Sequence, residues 1–221
     1  MKKKNKKEID NILKKELKMI VGSFLAVMII FAGFYYYTTK DANNFGHENV
    51  VRDFNYKLGP DSAKVKIVEF LDPECEACRA YFPHVKELVN KYKDDVQLTI
   101  RYALYHGNSL LAAKATDAAG LQGKYFEYQE LLFLNQGEWG NQRMPATELF
   151  LKYAQDLHLD IQKFKMDMED LRRMETINVD IVDGPKLGVK GTPTFFINGR
   201  KLLSASPTIL REEVEKIINA K

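Results

Sequence analysis

Cys75 and Cys78 are the only cysteines in a chain of 221 residues, and two residues separate them in "LDPECEACRA". On a helix, positions i and i+3 lie about 5–6 Å apart on one face, close enough for a disulfide. Three chemistries could use such a pair: a structural staple, half of a metal site, or a dithiol that exchanges with other disulfides. A staple that closes so short a loop barely constrains the unfolded chain, because the entropic benefit grows with loop length. Zinc wants four ligands, and the chain has no second cysteine pair; its histidines, 47, 84, 106 and 158, are scattered. That leaves a two-Cys, two-His set as the remaining metal option. Covalent haem needs a histidine after the second cysteine, where Arg79 stands instead. A redox dithiol fits best.

The elements around the pair sharpen this reading. "KVKIVEFLD", residues 64–72, is β-branched and aromatic and predicts a strand. After the Asp72-Pro73 turn, Cys78, Tyr81, Phe82, Val85, Leu88, Val89 and Tyr92 recur at helical spacing, with Pro83 expected to kink the helix. Cys75 therefore stands at a helix start, where unpaired N–H groups and the dipole favour an anion. A thiolate there has a lowered pKa and is a ready nucleophile, while Cys78, one turn on and on the apolar side, can attack a mixed disulfide at Cys75. Along the strand, Val65, Ile67, Glu69 and Leu71 share one face. Glu69 in that apolar row is a candidate proton shuttle for Cys78 through a raised pKa; the plainer alternative is an acid at an exposed rim.

Residues 95–104 alternate and predict a second strand, parallel to the first across the helix. Residues 107–183 read as four or five helices. "TPTFFINGRKLLS", 192–204, predicts a hairpin turning at Asn198-Gly199, and a closing helix starts at Ser206-Pro207. A cis bond before Pro193 would free the backbone of Thr192 to hold an extended peptide; a trans proline opening a strand is the ordinary alternative. The fold class is α/β, a sandwich with an all-helical insertion.

The net charge of +3 hides an asymmetry. Residues 1–18 hold eight lysines against Glu8, Asp10 and Glu16, so the rest of the chain carries slightly more acid than base. A basic face for nucleic acid is thus not expected. "MIVGSFLAVMIIFAGFYYYTT", 19–39, has no charge and as a helix reaches about 30 Å, the thickness of a bilayer core. Tyr35, Tyr36 and Tyr37 suit the membrane interface, and the lysines belong on the cytoplasmic side. A cleaved signal would have a shorter core and small residues at its end; here Phe34–Tyr37 follow Ala32-Gly33, which favours an uncleaved anchor. The expected organisation is a cytoplasmic tail (1–18), a single-pass anchor in the cell membrane (19–39), a polar tether (40–59) with a short strand near Val50 and Val51, and an extracytoplasmic, periplasmic-side domain (60–221).

A strand carrying Glu69, a Cys-x-x-Cys opening a proline-containing helix, a helical insertion of about 107–183 and "VKGTPTFFINGR" together resemble the DsbA-like thiol-disulfide oxidoreductases, a branch of the thioredoxin fold, over roughly residues 60–221. The resemblance implies Cys75 as attacking and Cys78 as resolving cysteine, a cis Pro193 with Thr192 facing the thiols, and a buried Glu69. "RYALYHGNS" resembles the segment after the second strand in relatives, which would bring His106 near the site; an exposed loop histidine is the more ordinary alternative. No diffusible cofactor is implied, only the redox-active disulfide; the implied partners are protein thiols or disulfides and a membrane redox protein that recycles the pair. Strong oxidases of the family carry Pro-His between the cysteines, whereas this chain has Glu76-Ala77, with Glu74 alongside. Carboxylates there are expected to disfavour the thiolate and so weaken the oxidant. A disulfide oxidase is favoured over an isomerase or reductase, and no dimerisation domain is visible. The competing class is a tethered thioredoxin-like module that binds copper or zinc through the same thiols.

Overall fold

The structure, a computed structural model, describes residues 2–204 and 206–220, the side chains of 2–15 and 37–42 excepted. It divides into two compact units, Met1–Asn44 and Phe45–Lys221. The first is the helix α1 (Lys2–Ala42). Within it Glu16–Tyr36 is long and apolar enough to cross a membrane, and Phe24, Ile29, Ile30 and Phe31 are all exposed. The side chains of Tyr37 and of the lysine tail up to residue 15 lie outside the described residues.

The second unit opens with a short helix α2 (His47–Val50) and an edge strand β1 (Lys57–Leu58). Then come β2 (Val65–Leu71), α3 (Glu76–Lys91) and β3 (Val96–Tyr102). Six helices follow among the described residues: α4 (Ser109–Gly120), α5 (Tyr125–Leu134), α6 (Gln136–Trp139), α7 (Thr147–Asp156), α8 (Ile161–Met168) and α9 (Leu171–Lys186). The chain closes with β4 (Thr194–Ile197), β5 (Arg200–Lys201) and α10 (Pro207–Asn219). The sheet order is β1-β3-β2-β4-β5. β2 and β3 are parallel, Val65 opposite Val96 through Leu71 opposite Tyr102, and β4 runs antiparallel to β2 with Glu69 opposite Phe195.

Every residue of β3 and nearly every residue of β2 is buried, as a sheet covered on both faces requires. One face sets Val65, Ile67 and Leu71 against Cys78, Val85, Leu88 and Val89 of α3 and Leu210 and Val214 of α10. The other sets Val68, Phe70 and Phe196 against Val50, Leu187 and Val189. On that second face Arg101 is fully buried. Its Nε donates to Asp180 (2.6 Å), its Nη2 to Asp183 (2.9 Å) and its Nη1 to the Val50 carbonyl (2.9 Å). The insertion has a core of its own around Tyr128, Leu132, Trp139, Phe150 and Phe164.

The expected tether over 40–59 is corrected by this arrangement. From Phe45 onward the segment belongs to the folded unit: the Phe45 N–H donates to Gly199 O (2.9 Å), Val50 is wholly buried and Tyr56 stacks on Tyr125 at 4.0 Å. Nor does a strand form at Val50 and Val51. Val50 ends α2 because its side chain fills the space over Phe70 and Phe196 and its carbonyl serves Arg101. The hairpin turns with φ of 48° at Asn198 and 80° at Gly199, the left-handed pair that a type I′ turn needs. A Cβ at Gly199 would stand 2.4 Å from backbone atoms of Gly46 and His47, so glycine is also what lets the amino-terminal segment lie on the hairpin. Ser206 Oγ accepts from the Ile209 N–H (3.1 Å), and Pro207 opens the helix behind it.

Candidate active site

Cys75 is the residue before the first turn of α3, with extended backbone (φ −72°, ψ 123°), and its thiol is partly exposed. Cys78, one turn in, is wholly buried. The two thiols are driven apart. A hydrogen bond with the Cys78 thiol does most to lower the Cys75 pKa; it prevails over the cost of burial, and the Thr192 side chain and the N–H groups of Cys78 and Ala77 add to it. The result is about 5, so Cys75 is a thiolate at neutral pH. Burial pushes Cys78 well up, reinforced by its hydrogen bond to Cys75 and the charge of Glu69. One sulfur is built to react and the other to keep its proton.

Thr192 lies across from the nucleophile, its carbonyl 3.5 Å from the Cys75 Sγ, and the Thr192–Pro193 peptide bond is cis. Glu69 sits mid-strand in β2, facing the core that holds Cys78, and burial raises its pKa to about 8. A cavity of about 130 Å³ touches it, lined also by Phe82, Val85, Gln129 and, towards the surface, Lys86 and Glu130. The Gln129 Oε1 in that lining is buried without a hydrogen-bond partner.

Glu74 and Glu76 have different surroundings. Glu74 is buried, and both its carboxylate oxygens are engaged: Oε2 accepts from the Asn108 N–H (2.6 Å), and Oε1 from the Asn141 N–H (2.8 Å). It ties the loop before Cys75 to the insertion. Glu76 is exposed in the first turn of α3, where solvent screens it. The largest influence lowering the Cys75 pKa is its hydrogen bond with the Cys78 thiol. Ala77 contributes through its N–H.

His106 is brought to the site. Its Nδ1 is 2.7 Å from Asp72 Oδ2. Burial works against its charged form, but the Asp72 hydrogen bond and the charges of Asp72, Cys75 and Glu74 outweigh it and raise the pKa. Asp72 escaped sequence reasoning, which saw only a turn. It is wholly buried and also accepts from the Glu74 N–H (2.9 Å), the Tyr105 N–H (2.7 Å) and the Ser109 hydroxyl. An aspartate before proline at a strand end is an Asx-turn signal, but its partners near residue 106 leave no local mark. Gln136 escaped too. Its Nε2 donates to the Pro73 and Cys75 carbonyls at 2.8 and 3.1 Å. Among the described residues, no three His, Cys, Asp or Glu side chains stand together as a metal cage.

Residues 55–220 match the Thioredoxin_4 family model, described as thioredoxin. Probable disulfide bond formation protein D of Bacillus cereus is 29% identical over 185 residues, which cover 79% of this chain and 84% of that protein. The fold is similar to oxidised BdbD from Bacillus subtilis (TM-score 0.68, 22% identity, 80% of this chain and 97% of that one). It is also similar to the thiol-disulfide exchange protein α-DsbA2 of Wolbachia pipientis (TM-score 0.66, 23% identity, 82% and 93%). The chain belongs to the thioredoxin family that this model describes. A further relative of this thioredoxin-family chain is named Na(+)/H(+) antiporter NhaA 1, from Salinispora arenicola, and is 38% identical over 157 residues. The matched stretch is 67% of this chain but 22% of that protein's length, a piece of one domain's size.

Proposed function

We propose that the chain is a membrane-anchored thiol-disulfide oxidoreductase that works outside the cytoplasm on protein thiols, with oxidation as its main direction. The observation that carries this is the unequal thiol pair, Cys75 at about 5 and Cys78 pushed well up, at a helix start beside a buried acid. Starting from the Cys75–Cys78 disulfide, a substrate thiolate attacks the Cys75 Sγ. A mixed disulfide forms, the Cys75–Cys78 bond breaks, and the departing Cys78 sulfur takes the proton held by Glu69. A second substrate thiolate then attacks the substrate sulfur of the mixed disulfide. The substrate leaves with its own disulfide, two electrons poorer, and Cys75 departs as a thiolate. In the opposite direction the same steps run backwards, with Cys78 resolving the adduct. Glu69 regains its proton through the cavity that Gln129 lines. Thr192 and the cis Pro193 support an extended substrate segment against Cys75, and a membrane redox protein takes up the two electrons.

A stable Cys75 thiolate stabilises the reduced form and makes the disulfide oxidising. About 5 lies between the thiol of thioredoxin, near 7, and that of the strongest oxidase, near 3.5, so the protein is a weaker oxidant than the latter. For the anchor, the support is the apolar stretch Glu16–Tyr36 with lysines before it. The deciding experiment is Cys78→Ala in cells. Proteins should accumulate on Cys75 through bonds that dithiothreitol releases, and none should accumulate once Cys75 is also replaced. Stoichiometric copper or zinc on the reduced protein, with no adducts, would favour the metal-binding class instead.

A further inference from the structure

A groove of about 360 Å³ opens beside the Thr192–Pro193 turn, lined by Lys190, Gly191, Thr194, Lys201 and Leu203 together with the turn itself. Its closeness to the reacting sulfur follows from the 3.5 Å between Thr192 O and the Cys75 Sγ. Two cations share this groove. Lys190 is exposed, whereas Lys201 is half-buried and its ammonium donates to the Gly188 carbonyl. Burial first, and then the charge of Lys190, lowers the Lys201 pKa; the two ammonium groups repel each other.

Several lysines of this domain stand against carboxylates, among them Lys86 with Glu130, Lys91 with Glu215, Lys114 with Glu169 and Lys163 with Asp167, while others, such as Lys66 and Lys152, stand without one among the described residues. Lys190 and Lys201 differ in that both line one groove beside the site and repel each other, with no carboxylate paired to either among the described residues. Two uncompensated like charges beside a reactive centre, in a domain with a slight excess of acid, are a standing site for an anion. A carboxylate between them would gain two attractions and relieve one repulsion. Leu203, 76% exposed, supplies apolar surface in the same groove for the residue next to that carboxylate.

We propose that this groove selects protein partners whose reactive cysteine is flanked by aspartate or glutamate, the acidic side chain lying between Lys190 and Lys201 while the extended segment rests on the Thr192–Pro193 turn. The proposal rests on the oxidoreductase reading and adds a specificity to it.

The test uses the full chain, oxidised, in an uncharged detergent, with two peptide thiols that differ only in carrying Asp or Lys on both sides of a single cysteine. Each second-order rate constant is divided by that peptide's rate with hydroxyethyl disulfide, which cancels the effect of the flanking charges on the thiol itself. The corrected Asp-to-Lys ratio should be about tenfold in about 20 mM salt and fall towards one in about 500 mM salt. K190E should bring it to one or invert it, and K201A should reduce it. Because Lys201 also binds the Gly188 carbonyl, K190E decides the matter if K201A does not fold. A ratio near one for the wild type at low salt, or an unchanged ratio in K190E, overturns the proposal. Reaction with neither peptide would sink the oxidoreductase reading itself, and the groove's specificity with it.

Discussion

Replacing Glu69 by glutamine keeps the side chain's shape and removes its titration. Burial raises the Glu69 pKa from 4.5 to about 8, so below about pH 4.5 the residue is neutral whether the chain is folded or not, and it costs nothing. Between about pH 4.5 and 8 the unfolded chain releases the proton while the folded chain keeps it. Folding is then opposed by an amount that grows with pH and levels off above about 8. At about 1.4 kcal/mol per pH unit, the penalty is about 3 kcal/mol at pH 7 and approaches about 5 kcal/mol on the plateau. E69Q should therefore be more stable than the wild type at neutral pH by up to these amounts, less any cost of burying an amide without full hydrogen bonding. The advantage should vanish near pH 4.5. Trp139, the only tryptophan, is wholly buried in the core of the insertion, so its fluorescence during urea unfolding of the reduced protein reports the second unit alone. The same substitution should slow the release of Cys78 by roughly a hundredfold, the low end for a lost general acid. Stability and turnover should move in opposite directions. If the E69Q and wild-type unfolding free energies run parallel from about pH 5 to pH 9, Glu69 is not held neutral by burial and the proton-carrier role falls.

Titration of the reduced protein by thiolate absorbance should place Cys75 near pH 5, with alkylation at Cys75 steady above neutrality and falling off below about pH 5; a midpoint near 8.5 would refute the hydrogen-bonded thiolate. Equilibration with glutathione should give a potential between about −120 and −270 mV, and a value at either extreme would contradict the intermediate thiolate. Asp72→Asn should cost about 2–4 kcal/mol, since a buried acceptor of several hydrogen bonds gains an amide that must donate. It should also lower the His106 pKa, which an NMR titration of the imidazole would follow; an unmoved His106 would refute the pairing. Arg101→Met should destabilise by about 3–5 kcal/mol, because it leaves the Asp180 and Asp183 carboxylates facing a buried gap. Urea midpoints decide that case, and a loss under about 1 kcal/mol would mean that both acids find water.

The dithiol, its helix and the two central strands were legible because each is written locally. Cys75 and Cys78 need only their spacing, and Val65 to Leu71 is β-branched and aromatic enough to mark a strand. Asn198-Gly199 announced its own turn. The amino-terminal segment was opaque for a physical reason: it joins the fold through scattered side chains, Phe45, Val50, Arg52 and Tyr56, through a backbone carbonyl offered to Arg101 and through a two-residue strand. None of these makes a periodic pattern. The site's supports were hidden by sequence distance, since Asp72 meets residues 105–109 and Gln136 reaches back to residues 73 and 75. Glu74 was legible only in part. Its charge was visible, but its direction depends on N–H groups of Asn108 and Asn141 that only the folded insertion presents. An acid next to a reactive thiol is also a tie to the insertion.

That tie has an evolutionary side. The loop carrying the nucleophile is stitched to the insertion by Glu74, Gln136, Ser109 and His106, whereas Lys114, Lys124 and Lys163 sit on its solvent-facing flanks. Lineages should therefore be free to lengthen, recharge or redecorate the outer helices while the inner edge stays almost immobile. Chimaeras that graft a foreign insertion would keep the nucleophile in place only if the graft brings this edge with it.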